Sequence, residues 1–280
     1  MKAMALLLAV LLCLGLCACV SVSEEPSQST TGTTTAPLPP THKTIYVHTA
    51  VTQSSATMDA RTEFLYDEND HLKEVVQYSG TNQTLRYQVE CDENGNYIAW
   101  TCAADALNLT IRYSYDDQGR SLGTAHYQNG ELMTATTYTW EGENRTGVYV
   151  IMPSQNRDQA TEYTYNSQGV LVRQDVYVDG NLVRYGICSS DEENRPVGVV
   201  FYQSNGTAES TNTITYDGLT QIHTLTLADG TVSQKTVITY DEHGNLMSTV
   251  IYDGNGSQIS SETHTWKAIR VPIDCPRASA

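Results

Sequence analysis

A two-residue signal recurs along this chain at nearly constant spacing, and that recurrence constrains the fold more than any other feature. Tyr66-Asp67, Cys91-Asp92, Tyr115-Asp116, Trp140-Glu141, Tyr165-Asn166, Ser190-Asp191, Tyr216-Asp217 and Tyr240-Asp241 open consecutive units, and Trp266 closes the last, at intervals of 25, 24, 25, 25, 25, 26, 24 and 26 residues. A repeat of this length is one supersecondary unit that buries its apolar face only against its neighbours. Most openings are followed within a few residues by Gly or Asn (Gly95, Gly119, Asn144, Gly169, Asn194, Gly244) and then by an apolar residue such as Leu72, Leu122, Leu171 or Leu246. Twelve residues into a unit a second tyrosine recurs, as Tyr78, Tyr127, Tyr177, Tyr202 and Tyr252.

Each unit carries a second turn signal, for example Asn129-Gly130, Asp179-Gly180, Asn205-Gly206, Asp229-Gly230 or Asp253-Gly254. Such pairs tolerate the positive φ angles of tight hairpins. The stretches between turns, such as Thr236–Tyr240 and Leu246–Tyr252, are rich in Thr, Val, Ile and Tyr and show no helical period. The pattern predicts an all-β fold: an antiparallel meander of about eight two-stranded repeats, preceded by a hairpin over 44–52 and 58–66. About 18 strands at ~4.8 Å each would make a flat sheet ~85 Å wide, and accumulated twist forbids that. The sheet is therefore expected to curl or spiral as a single layer, with a closed barrel-like shell as the alternative. With 18 Tyr and only 2 Phe, both faces are expected to stay partly wet.

The N-terminus carries an address. Lys2 precedes an apolar run from Ala3 to Leu16, the layout of a secretory signal and short for a membrane span. The following Leu16-Cys17-Ala18-Cys19 resembles the lipobox of bacterial lipoproteins, whose Cys is acylated before cleavage. Cys17 fits poorly because the bulky Leu16 would stand at the cut, whereas Ala18 suits Cys19. The expected organisation is a signal peptide over 1–18, then lipidated Cys19 and a Ser/Thr/Pro-rich tether over 19–42. The repeat domain follows over 43–266, and a tail over 267–280. This places the chain in the cell envelope, outside the cytoplasm, with the membrane as a partner through lipid on Cys19.

The motifs YDENDHL, YDDQGRSL, YNSQGVL and YDEHGNL resemble the YD repeats of the RHS family, over about residues 66–266. That resemblance implies a long spiralling β-sheet. RHS proteins are far longer and enclose a C-terminal toxin, for which this chain has no room, so it implies architecture more than function.

Charge and chemistry narrow the function. Without residues 1–18 the chain keeps 15 of its 16 Lys and Arg against 32 Asp and Glu, which argues against nucleic-acid partners. The seven histidines show no metal-binding spacing, and no nucleophile elbow or phosphate loop occurs. No catalytic residue, cofactor or metal is expected. The Asp at each turn reads as a backbone acceptor rather than a calcium ligand. Cys91, Cys102, Cys188 and Cys275 allow three disulfide pairings, with an apolar filler role the preferred reading for Cys91. The expectation is a non-enzymatic surface lipoprotein, a repeat scaffold or binding module for a glycan, peptide or envelope partner. Its candidate ligand-facing aromatics are Tyr78, Tyr127, Tyr177, Tyr202 and Tyr252. The alternative is an envelope carrier or assembly factor sheltering an apolar ligand inside the curled sheet.

Overall fold

The structure is a computed structural model and describes residues 42–92, 96–104 and 107–272. The signal peptide, Cys19 and all of the tether but His42 lie outside the described residues, as does Cys275. The strands are β1 (His42–Ser55), β2 (Met58–Tyr66), β3 (Leu72–Ser79), β4 (Asn82–Cys91), β5 (Tyr97–Ala104) and β6 (Leu107–Tyr115). They continue as β7 (Ser121–Gln128), β8 (Glu131–Glu141), β9 (Asn144–Met152), β10 (Arg157–Tyr165), β11 (Leu171–Val178) and β12 (Asn181–Ser190). The last are β13 (Pro196–Gln203), β14 (Ala208–Asp217), β15 (Thr220–Leu227), β16 (Val232–Tyr240), β17 (Leu246–Asp253) and β18 (Gln258–Pro272). Each strand pairs antiparallel with the next, and β18 pairs with β1, so all 18 close into one barrel. The closed shell, rather than an open spiral, is the form adopted. β18 also runs past Trp266 to Pro272, pairing with the start of β1.

Closure has a visible cause in the register. Seven of the eight YD-type openings, all but Tyr216, pair at a one-residue slip: Tyr66 faces Leu72 while Leu65 faces Glu74, and Tyr115 faces Ser121 while Ser114 faces Gly123. Cys91, Trp140, Tyr165, Ser190 and Tyr240 repeat the pattern. The second tyrosine register marks a slip at the other end of the hairpin, at Tyr78, Tyr127, Tyr177, Tyr202 and Tyr252. Each slip is a β-bulge, and bulges bend a strand and increase its twist. Repeated at both ends of the hairpins, they bring β18 back to β1. The extra residue also accounts for exposed apolar side chains, since Ile98, Leu122, Val183, Met247 and Ile259 are all bulge residues.

The YD aromatics tie successive repeats together. Tyr66 donates to His48 O at 2.7 Å, Tyr165 to Arg145 O at 2.8 Å and Tyr216 to Pro196 O at 2.8 Å, while the indoles of Trp140 and Trp266 reach Ser121 O and Leu246 O at 2.8 Å. Except for His48, these acceptors are the first or second residue of the strand that follows the preceding repeat's YD-type turn. Trp replaces Tyr here because both place a donor at the end of a flat apolar body. Cys91 makes a weak contact of the same kind, Sγ to Leu72 O at 3.9 Å. Tyr165→Phe is therefore expected to cost about 1 kcal/mol, measured by chemical denaturation, by orphaning the Arg145 carbonyl.

At the turns, the acidic or amide residue accepts bonds from backbone N–H groups two and four residues on. Asp116 Oδ1 accepts from Gln118 at 3.0 Å and Arg120 at 2.8 Å, and Asp67, Asn166, Asp191 and Asp241 do likewise. The predicted two-residue hairpins with both central residues at positive φ occur at Asn129-Gly130 and Asp179-Gly180. Asn144 is not a turn residue: Gly142, at φ 57°, makes a two-residue turn and Asn144 opens β9.

Candidate functional site

Following directly paired residues round the circuit separates two faces. One contains Phe64, Val75, Tyr87, Trp100, Ile111, Tyr113, His126, Cys188, His223, Glu262 and His264. The other contains Glu63, Val76, Arg86, Arg112, Tyr127, Tyr149, Glu162, Asp175, Tyr185, Tyr202 and Lys235. On the concave side of a closed sheet side chains converge and lose water. Burial is the leading cause that lowers the pKa of His48, His126 and His223 and raises that of Tyr87, Tyr113 and Cys188, all on the first face. That face lines the interior.

The exterior carries the mid-strand charges, with Arg61 paired to Glu63 at 2.7 Å, Arg173 to Asp175 at 2.7 Å, and Arg86 to Glu74. All five sequence-selected tyrosines lie there, half-buried and beside the bulges at one end of the barrel, forming an interrupted belt. Tyr202 stacks on Tyr185 with centroids 5.1 Å apart. Tyr177 on β11 and Tyr149 on β9 flank Ala160 of β10 from opposite sides, each directly paired with it. Between them lies a hollow of ≈ 440 Å³ also lined by Ile151, Asp158 and Glu162. Periodicity could not single out Tyr149, which lies outside both tyrosine registers.

The interior is uneven. Along β2–β6 it is an apolar wall of buried Val75, Tyr87 and Cys102 with half-buried Phe64, Leu85, Val89, Trp100, Leu109 and Ile111. Each buried aliphatic side chain of such a wall contributes roughly 1.5–3 kcal/mol. Cys102 and Cys188 are free thiols, with Cys102 packed into the wall as filler.

At the seam between β1 and β18 the interior becomes polar. His48 Nε2 lies 3.2 Å from His264 Nδ1, and His264 Nε2 lies 2.8 Å from Glu262 Oε1, whose other oxygen accepts from Gln53. His48 also stacks on Trp266 at 3.6 Å and on Phe64 at 5.6 Å. Burial, reinforced by His264, holds the His48 pKa down to about 4. The hydrogen bond from His264 holds Glu262 below the usual carboxylate range. Spacing in the sequence does not reveal this pair, because the two lie 216 residues apart and meet through closure. Chemically this cluster joins the first strand to the last.

No protein family profile matches the chain, and no curated protein does. Among solved structures it is similar to the TcdB2-TccC3-Cdc42 crystal structure, at 13% identity and a TM-score of 0.37, covering 75% of this chain and 15% of that one. The chain thus spans a small fraction of that protein. It is also similar to porin-like proteins from Bacteroides uniformis (11% identity, TM-score 0.36) and Bacteroides vulgatus (12%, 0.34), each alignment covering 79% of this chain and 98% of the other. These scores are all below 0.5, and the likeness carries nothing about role.

Proposed function

We propose that this chain is a non-enzymatic binding module displayed outside the cytoplasm, anchored through lipid on Cys19, which uses the exterior tyrosine belt to hold a glycan or peptide partner. The belt itself carries the reading: Tyr78, Tyr127, Tyr177, Tyr202 and Tyr252 stand on one face at one end of the barrel. Tyr offers large contact area at small entropic cost. Mid-strand charges such as Arg61, Glu63, Arg112 and Asp175 favour an exterior bathed in water, since a buried Arg costs about 2–4 kcal/mol at a bilayer midplane. A lipid on Cys19, rather than the barrel wall, then supplies membrane attachment.

The test is retention of the full chain on a panel of immobilised envelope polysaccharides and extended peptides. Binding should fall at least tenfold in a Tyr127→Ala, Tyr202→Ala, Tyr252→Ala triple variant of unchanged circular dichroism. Equal retention of variant and wild type, or no retention of either, contradicts the reading.

The apolar wall over β2–β6 favours a second reading, a carrier that shelters an apolar ligand inside the barrel. Trp100 Nε1 is buried in that wall without a hydrogen-bond partner among the described residues. A fluorescent fatty-acid probe that quenches Trp100 and is displaced by unlabelled fatty acid would support it, and no quenching would exclude it.

A further inference from the structure

The belt tyrosines share a feature that one site breaks. Tyr78 lies directly opposite Arg61, and Tyr252 directly opposite Lys235. Arg112 stands over the Tyr127 ring at 5.9 Å, and Arg173 over Tyr185, the stacking partner of Tyr202, at 4.5 Å. Each of these aromatics thus has a cation of the protein's own beside it. Tyr149 and Tyr177 instead lie directly opposite Ala160, and among the described residues no Arg or Lys stands over either ring; Arg173, whose charge reaches Tyr177, is itself held by Asp175. The residue between them is Ala160, and the same face of β10 presents exposed Asp158 and Glu162 two residues to either side.

Neither carboxylate is held by a basic side chain among the described residues, whereas nearby Asp175 is neutralised by Arg173. Glu162 instead takes the Tyr149 hydroxyl at 3.4 Å, which orients that ring along the hollow. Two inter-strand spacings put the tyrosine backbones ~9.6 Å apart, leaving room for one compact group between the rings. An aromatic pair closed at both ends by carboxylates attracts positive charge through the ring quadrupoles and by Coulomb attraction together.

We propose that the hollow bounded by Tyr149, Tyr177, Asp158 and Glu162 binds a compact organic cation, an ammonium or guanidinium group. This narrows the binding-module reading, on which it rests, to one site and one ligand chemistry. The cation could belong to a free small molecule or to a basic side chain of a peptide, and the experiment separates these sources.

The full chain is titrated calorimetrically with choline, with its uncharged isostere 3,3-dimethylbutan-1-ol, and with an arginine-containing pentapeptide. Choline should bind at least tenfold more tightly than the isostere. Tyr177→Leu and Tyr149→Leu should each weaken choline at least tenfold, and Glu162→Gln severalfold. Leu219→Ala, in an exposed turn at the other end of the barrel, should change it less than twofold. A pentapeptide tenfold tighter than choline assigns the site to a basic chain, and the reverse order to a free cation. Equal binding of choline and isostere, no binding of either cation, or indifference to Tyr177→Leu in a folded variant overturns the proposal. None of these variants alters Tyr127, Tyr202 or Tyr252, so loss of belt binding remains a separate result.

Discussion

Replacing Gly123 with alanine is expected to cost about 4 kcal/mol of barrel stability. A Cβ at Gly123 would lie 2.0 Å from Thr136 O and 3.0 Å from Thr137 Cα, and φ is +142°, a region costly for any side chain. The obstruction is backbone on the neighbouring strand, so no rotamer relieves it. Gly123 adjoins the bulge residue Leu122, where β7 bends against β6, and pairs with Thr137 of β8. Gly130 is the control: its φ is +84° but nothing lies within 4 Å, so alanine there should cost about 1 kcal/mol. Urea midpoints followed by circular dichroism compare the two. Equal losses would mean that β7 and β8 do not approach as described.

Acidification from pH 7 to pH 4 is expected to remove about 3 kcal/mol through His48 alone. Its pKa is lowered from 6.5 to about 4, so below pH 6.5 the unfolded chain takes a proton that the folded seam refuses. The contribution is therefore full above pH 6.5 and lost as pH falls towards 4. Glu262 acts in the same direction at lower pH, because its lowered pKa makes its contribution full above 4.5 and lost as pH falls through the folded value. His48→Phe keeps an aromatic ring against Trp266 and removes the titration. Its stability should change about 3 kcal/mol less than wild type over the same range, and parallel pH profiles would remove the seam histidine from the account.

Much of the fold is legible in the sequence because the repeat states it many times. Tyr115-Asp116 and Tyr165-Asn166 mark the turns, the Asp side chain is correctly read as a backbone acceptor, and the number of strands follows from the count of turns. Closure is a different kind of quantity, a sum of small bends rather than a local preference. The bulges at Lys73, Leu122 and Val172 that supply it occupy positions whose residue types suit an ordinary strand equally well.

The same cause explains what the site concealed. The tyrosine register was visible, but its link to bulges appears only with the pairing. Tyr149 follows neither register, and its meeting with Tyr177 across Ala160 depends on how β9, β10 and β11 align. His48 and His264 meet because β1 and β18 close the circuit, which no 25-residue period encodes.

Amide hydrogen exchange across β1 and β18 tests closure most directly. A barrel joined along Lys43–Ser55 and Ser260–Val271 leaves no edge, so the amides of both strands should exchange as slowly as those of β10 and β11. Rapid exchange on one side of β1 and one side of β18, with the other strands protected, is the pattern of an open spiral and would contradict the account.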